Sequence, residues 1–256
     1  MKPEIIIPGL GFLRMYDILL AAGTILGNLI FLYWGNKILR DWKKLILVIA
    51  VTDGLFVLSS YSGEFLERLT YWEWSNFREF LEDLSVYGGM HYLGRVLFLA
   101  AAVPFIYRLM LRDKIKRRQM LDLFGFIIVI QHMFNRAACL CNGCCYGKPY
   151  HGSLSVTYTE GVAYHKGVTW PVYPTQLMEA GMMIFLLVLM VFWKHRGKTV
   201  FEKALTGFAL AIFISEFFMD NIGSVLVLGL TWIQIGSLLL IIYAAGYHLL
   251  NRRKGG

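Results

Sequence analysis

The chain has 256 residues, 57% of them hydrophobic and only 16% charged, and carries a formal net charge of +8. A soluble domain holds about 25% charged residues, so this composition, with a mean hydropathy of +0.55, excludes a water-soluble globule. Nucleic-acid binding is excluded too, because it needs cations gathered on one soluble face, and here they stand in short runs between apolar stretches.

A hydrocarbon core of ~30 Å needs roughly 20 mainly apolar residues per helix. Seven segments qualify, at 17–35, 45–61, 87–111, 120–140, 175–193, 203–220 and 224–249. They predict an all-α polytopic membrane protein of about seven transmembrane helices, forming one transmembrane domain over 1–256. Met1 to Asp17 carries Lys2, Glu4 and Arg14, and Pro8 with two glycines breaks its apolar run. That argues against a cleaved signal peptide, and the first helix is expected to be retained. Basic clusters flank alternate segments: Lys37 to Lys44, Arg112 to Arg118, Lys194 to Lys203, and Arg252 to Lys254. By the positive-inside rule these four places are cytoplasmic. The N-terminus is then outside, the C-terminus inside, and the 62–86 and 141–174 connections face out. In 62–86, apolar residues such as Leu66, Leu69, Trp74, Phe77, Leu81 and Leu84 recur mostly every three or four positions among six acidic ones. An interfacial helix and an acidic surface loop both fit that pattern.

Ionisable groups in spanning helices are costly and usually face a bundle interior or a watery cavity. At 1.5 Å per residue, Arg136 lies ~24 Å up an outward-running fourth segment and Glu216 ~20 Å up the sixth. The third and fifth segments run inward, which sets His91, Arg95 and Glu179 within roughly two turns of their outer ends. His132 is one turn below Arg136 on the same face. Two arginines, two glutamates and two histidines are thus expected to converge in the outer half of the bilayer, with only Asp53 clearly deeper. Arg–Glu pairs that merely hold helices together are the alternative.

All four cysteines fall in the run Asn135-Arg-Ala-Ala-Cys-Leu-Cys-Asn-Gly-Cys-Cys-Tyr-Gly147. Structural zinc sites usually have two ligand pairs separated by a longer loop, which this compact cluster lacks. Cys141 and Cys144 have the two-residue spacing of thiol–disulfide enzymes. Small buried cysteines packing a helix end are the third reading. No metal and no cofactor is expected.

This run resembles the signature of the bacterial prolipoprotein diacylglyceryl transferases, roughly G-R-x-G-N-F-x-N-G-E-x-x-G, with Arg136, Asn142, Gly143 and Gly147 in matching positions. A second family motif, H-P-S-Q-L-Y-E, resembles Tyr173-Pro-Thr-Gln-Leu-Met-Glu179, in the right order and at the start of the next helix. The seven-helix, N-out and C-in arrangement is also the family's. The chain departs from the pattern at Cys139 for Asn, Cys144 for the signature Glu and Tyr173 for His. Tyr87-Gly-Gly89 stands for a His-Gly-Gly, with His91 one turn on, and Phe208 and Ile212 replace a Tyr and an Arg ahead of Ser215-Glu216-Phe217. The resemblance is to a diverged, cysteine-rich branch.

It implies a membrane transferase that moves a diacylglyceryl group from a phosphatidylglycerol-like phospholipid to a cysteine thiol of a lipoprotein precursor, at the outer leaflet of the bacterial plasma membrane. The catalytic candidates are Arg136 on the phosphate, whose planar fork bonds it in two places, His91 or His132 as base, and Cys144. Arg95, Asn142, Gly143, Gln176, Glu179 and Glu216 are the substrate-binding candidates, the two glutamates orienting the arginines. The alternative function is a membrane thiol–disulfide oxidoreductase using Cys141 and Cys144.

Overall fold

The computed structural model describes residues 4–7, 11–71, 92–220 and 226–253. They form seven long helices and one short one: α1 (Met15–Leu39), α2 (Trp42–Tyr71), α3 (Tyr92–Met110), α4 (Lys114–Asn142), α5 (Gly161–His165), α6 (Thr175–His195), α7 (Phe201–Ser215) and α8 (Trp232–Arg253). Two antiparallel hairpins join them, β1 (Glu4–Ile7) with β2 (Gly11–Arg14), and β3 (Leu226–Val227) with β4 (Leu230–Thr231). Five helices, α1, α3, α4, α6 and α8, are long and apolar enough to cross a membrane. The molecule is an all-α polytopic membrane protein, with each predicted segment represented by one long helix.

The centre of the bundle is α4, which packs against α1, α3, α6 and α7. Its buried face runs from Met120 through Ile128, His132 and Arg136 to Cys139. Against it α1 presents a stripe at every fourth position: Gly23, Gly27, Phe31, Gly35 and Leu39 are its buried residues. A Cβ at Gly23 would lie 2.7 Å from that of Phe134, so the small residues set how closely the two backbones approach, as is usual between helices in lipid. Elsewhere large apolar side chains such as Ile25, Leu29, Phe185 and Ile242 are exposed, the faces a bilayer would cover.

One end of the bundle gathers the basic clusters. There Lys116 Nζ donates to Leu39 O at 3.3 Å, Arg118 pairs with Glu202, and Lys194 Nζ meets Asp122 Oδ2 at 2.8 Å. Asp122 Oδ1 also accepts from the backbone N–H groups of Val200 and Phe201 at 2.8 and 3.0 Å. A carboxylate of α4 thereby caps α7, whose own flanking residue Val200 has no side chain able to do so.

Three boundaries differ from the sequence expectation. Helix α2 continues to Tyr71, so the first ten residues of the expected 62–86 connection are helical; the rest of that connection, and His91, lie outside the described residues. Helix α7 stops at Ser215 and not at 220, because the chain turns there and Phe218 O accepts from Lys148 N at 2.9 Å. The last segment begins as a hairpin and becomes helical only at Trp232. Leu228 and Gly229 both have positive φ, 55° and 78°, the conformation of a two-residue hairpin turn, and hydropathy cannot separate a short apolar hairpin from the start of a helix.

Candidate active site

The opposite end of the bundle holds the last turn of α4, the first turns of α6 and the end of α7. Glu179 is fully buried there and both its oxygens are held by neighbouring polar groups. Its Oε2 lies 2.8 Å from Arg136 Nε and 2.9 Å from His132 Nε2, and Oε1 accepts from Ser215 Oγ at 2.8 Å. One carboxylate thus ties three helices together. His132 Nε2 stands between two partners, 2.9 Å from Glu179 Oε2 and 3.3 Å from Arg136 Nε, which donates to it. The His132 ring is fully buried and edge-on to Phe208, with centroids 4.8 Å apart.

Above this knot α4 ends in a left-handed residue, Gly143, at φ 69° and ψ 21°. Gly143 N donates to Leu140 O at 3.3 Å, and Cys144 N to Cys139 O at 3.1 Å. These two bonds are the Schellman pattern, in which the residue after the glycine folds back onto the one five before it. Here both are cysteines. Cys145 follows, itself at a positive φ of 56°, and the sulfurs of Cys139, Cys144 and Cys145 all lie within 4.8 Å of one another. Cys141 is not in that group: two positions from Cys139 on a helix at 100° per residue, it points away. The close group is thus Cys139, Cys144 and Cys145. The sulfur of Cys145 is within hydrogen-bonding reach of Cys139, Cys144 and the Arg136 guanidinium, and hydrogen bonds from the two thiols hold it well below the usual thiol range. Cys144 is drawn down by its bond with Cys139, but its bond with Cys145 and burial push it up to about 11.

The second motif clamps the first. Helix α6 opens at Thr175, whose Oγ1 donates to Cys145 O at 2.7 Å, and Gln176 Nε2 donates to Cys144 O at 2.6 Å. Gly147 N donates to Tyr173 O at 3.2 Å, and Tyr173 N to Lys148 O at 3.0 Å. A Cβ at Gly147 would sit 2.5 Å from that of Tyr173 and 2.8 Å from Phe218 O. Gly147 thus serves close backbone approach, while Gly143 is the glycine that supplies positive φ. Residues 143–174 fold over the helix ends around a small core of Tyr158, Ala163, Val168 and Val172.

The structure brings together Arg136, His132, Glu179, Gln176, Asn142, Gly143 and Cys144. Asn142 bonds to Cys144 through its side chain. Glu216, just past the end of α7, accepts from Thr231 Oγ1 of β4 at 2.9 Å. The Arg95 guanidinium lies 5.6 Å from the Phe56 ring, and Asp53 accepts from Asn28 Nδ2 at 3.1 Å, tying α2 to α1. Three participants had no signal in the sequence. Ser215 is a hydroxyl on an apolar helix, Tyr158 sits in the 143–174 loop within electrostatic reach of the cysteine triad, and Tyr16 of α1 feels both the triad and Arg95.

A model of the prolipoprotein diacylglyceryl transferase family matches residues 5–250. The phosphatidylglycerol–prolipoprotein diacylglyceryl transferase 2 of Clostridium perfringens (strain 13 / Type A) is 26% identical over 254 residues, covering 94% of this chain and 91% of the relative. The match spans nearly the whole bundle and both docked motifs, and the chain belongs to the prolipoprotein diacylglyceryl transferase family, a family of membrane transferases.

Proposed function

We propose that the protein transfers a diacylglyceryl group from a phosphatidylglycerol-like phospholipid to a cysteine thiol of a lipoprotein precursor, at the outer leaflet of a bacterial plasma membrane; the name of the Clostridium relative gives phosphatidylglycerol and prolipoprotein as the substrates of that protein. In this step a thiolate sulfur forms a bond to the terminal glyceryl carbon, the carbon–oxygen bond to phosphate breaks, and glycerol phosphate leaves. The observation that carries the reading is the setting of Arg136. Glu179 grips the guanidinium through Nε at 2.8 Å, which fixes the side chain at the helix end without occupying both η-nitrogens, the pair that forks onto a phosphate. The leaving oxygen gains negative charge as the bond breaks, and a preorganised cation stabilises that charge without reorganising.

The remaining candidates take unequal roles. His132, buried against Phe208 and bonded to Glu179, suits positioning better than proton transfer to a substrate, which leaves His91 as the base. Gln176 and Asn142 hold the cysteine loop in register. The oxidoreductase reading draws no support from the grouping of Cys144 with Cys139 and Cys145.

The test is transfer of labelled diacylglycerol from phosphatidylglycerol to a cysteine peptide by purified protein. Arg136→Lys keeps the charge but loses the fork. A charge-assisted hydrogen bond is worth about 1.5–3 kcal/mol, so the rate should fall about 10- to 100-fold while the variant still folds. Full activity in Arg136→Lys removes Arg136 from the mechanism, and no transfer by wild type overturns the reading.

A further inference from the structure

We propose that Cys139, Cys144 and Cys145 form a three-thiolate site for one soft d10 cation such as Zn(II), with a fourth position open beside Arg136. At a metal–sulfur distance of ~2.3 Å, three sulfurs around one ion stand about 3.8–4.0 Å apart. The three sulfurs here already lie within 4.8 Å of one another, so closing on an ion takes movements of about 1 Å or less. They are also held for it. Cys144 N is bonded to Cys139 O, and the carbonyls of Cys144 and Cys145 are clamped by Gln176 and Thr175. Cys145 is kept in a left-handed conformation that costs a non-glycine residue free energy, and that conformation turns its sulfur onto the other two.

Charge and stoichiometry agree with an ion. Three thiolates around Zn(II) carry a net charge of −1, and the Arg136 guanidinium within hydrogen-bonding reach of Cys145 is an outer partner of the right sign and donor chemistry. A disulfide among three thiols would leave one unpaired, whereas a metal uses all three. Cys139 is buried, Cys144 half-buried and Cys145 exposed, which gives the ion a floor and an entrance. Spacing did not reveal the site because Cys139 and Cys144 are joined by the helix-terminating turn and not by a ligand-pair motif.

Three protein ligands with a vacant fourth position are the pattern of reactive zinc sites, not of closed structural ones. On the functional reading above, the acceptor cysteine is the ligand of matching softness. Its sulfur would bond to the metal, its proton would pass to the base, and the bound thiolate would attack the diacylglyceryl carbon as the carbon–oxygen bond to phosphate breaks and glycerol phosphate leaves. That gives Cys144, which stands where the family signature has Glu, a part in activating the acceptor thiol.

The experiment uses full-length protein in detergent, reduced, desalted without oxygen and titrated with Co(II). One equivalent should bind with a thiolate charge-transfer absorption that Zn(II) displaces. Cys144→Ser and Cys145→Ser should each weaken binding at least tenfold, and Cys141→Ser should leave it unchanged. Cys139 is buried in the helix end, so the exposed Cys145→Ser variant carries the test if Cys139→Ser does not fold. Reduced protein that binds no more Co(II) than the triple serine variant overturns the site, as does equal binding in Cys145→Ser. A cysteine peptide should shift the Co(II) spectrum and a serine peptide should not. A spectrum unmoved by either overturns the acceptor position, and the transfer assay, run separately, shows whether the functional reading falls with it.

Discussion

Glu179 is the residue on which the site end of the bundle depends, because a fully buried carboxylate is tolerable only with its oxygens satisfied. Removing one neutral donor should therefore cost much less than removing the charge. Ser215→Ala orphans Oε1 and is expected to lose about 1–3 kcal/mol, keeping transfer within a few-fold of wild type. Glu179→Gln leaves the Arg136 guanidinium buried without its counter-charge and is expected to lose about 3–5 kcal/mol. Thermal unfolding in one detergent ranks the two; equal losses would mean that Glu179 is held by packing alone. Glycines separate the same way. Gly147→Ala puts a methyl into the Tyr173 backbone and should undock the two motifs, whereas Gly181→Ala meets open space and should match wild type or gain slightly in helix stability. Counting depth along apolar segments was enough to place Arg136, His132 and Glu179 together, since helical rise is constant. It did not foresee the bond from Thr231 to Glu216, because Thr231 belongs to a hairpin that hydropathy reads as helix.

At the scale of elements, α7 depends on a residue that precedes it by almost eighty positions. Asp122 accepts from the N–H groups of Val200 and Phe201 and pairs with Lys194, so α4 organises the end of the bundle remote from the cysteines as well as the site. Asp122→Asn keeps an oxygen for the cap and is expected to cost about 1 kcal/mol. Asp122→Ala loses cap and ion pair together and should cost about 2 kcal/mol or more. If the alanine variant unfolds at the same temperature as the asparagine variant, the cap contributes nothing. Hydropathy made the long helices legible because a lipid-facing segment must be apolar around most of its circumference. It could not fix where α7 stops or where α8 starts, since those ends are set by backbone pairing, Lys148 to Phe218 and the β3–β4 hairpin, which leaves no mark on average polarity.

For the whole molecule, the two ends of the bundle carry opposite chemistry. At one lie the basic connections at 40–44, 112–118 and 194–203 and the end of α8; at the other, the Arg136–Glu179 knot, the cysteine triad and the folded 143–174 loop. On the proposed function, a lipid phosphate and a precursor cysteine must both reach the second end. Clustered lysines and arginines resist translocation, so we expect the basic end in the cytoplasm and the knot at the outer surface. Reporters active only in the cytoplasm should give signal when fused after Lys198 and after Arg253, and none when inserted at Leu154, which is three-quarters exposed at the tip of the loop. Signal at Leu154 with none after Lys198 would invert the protein in the membrane. Arg136 would then stand in the inner headgroup layer, and the acceptor would have to be modified before it crossed the membrane.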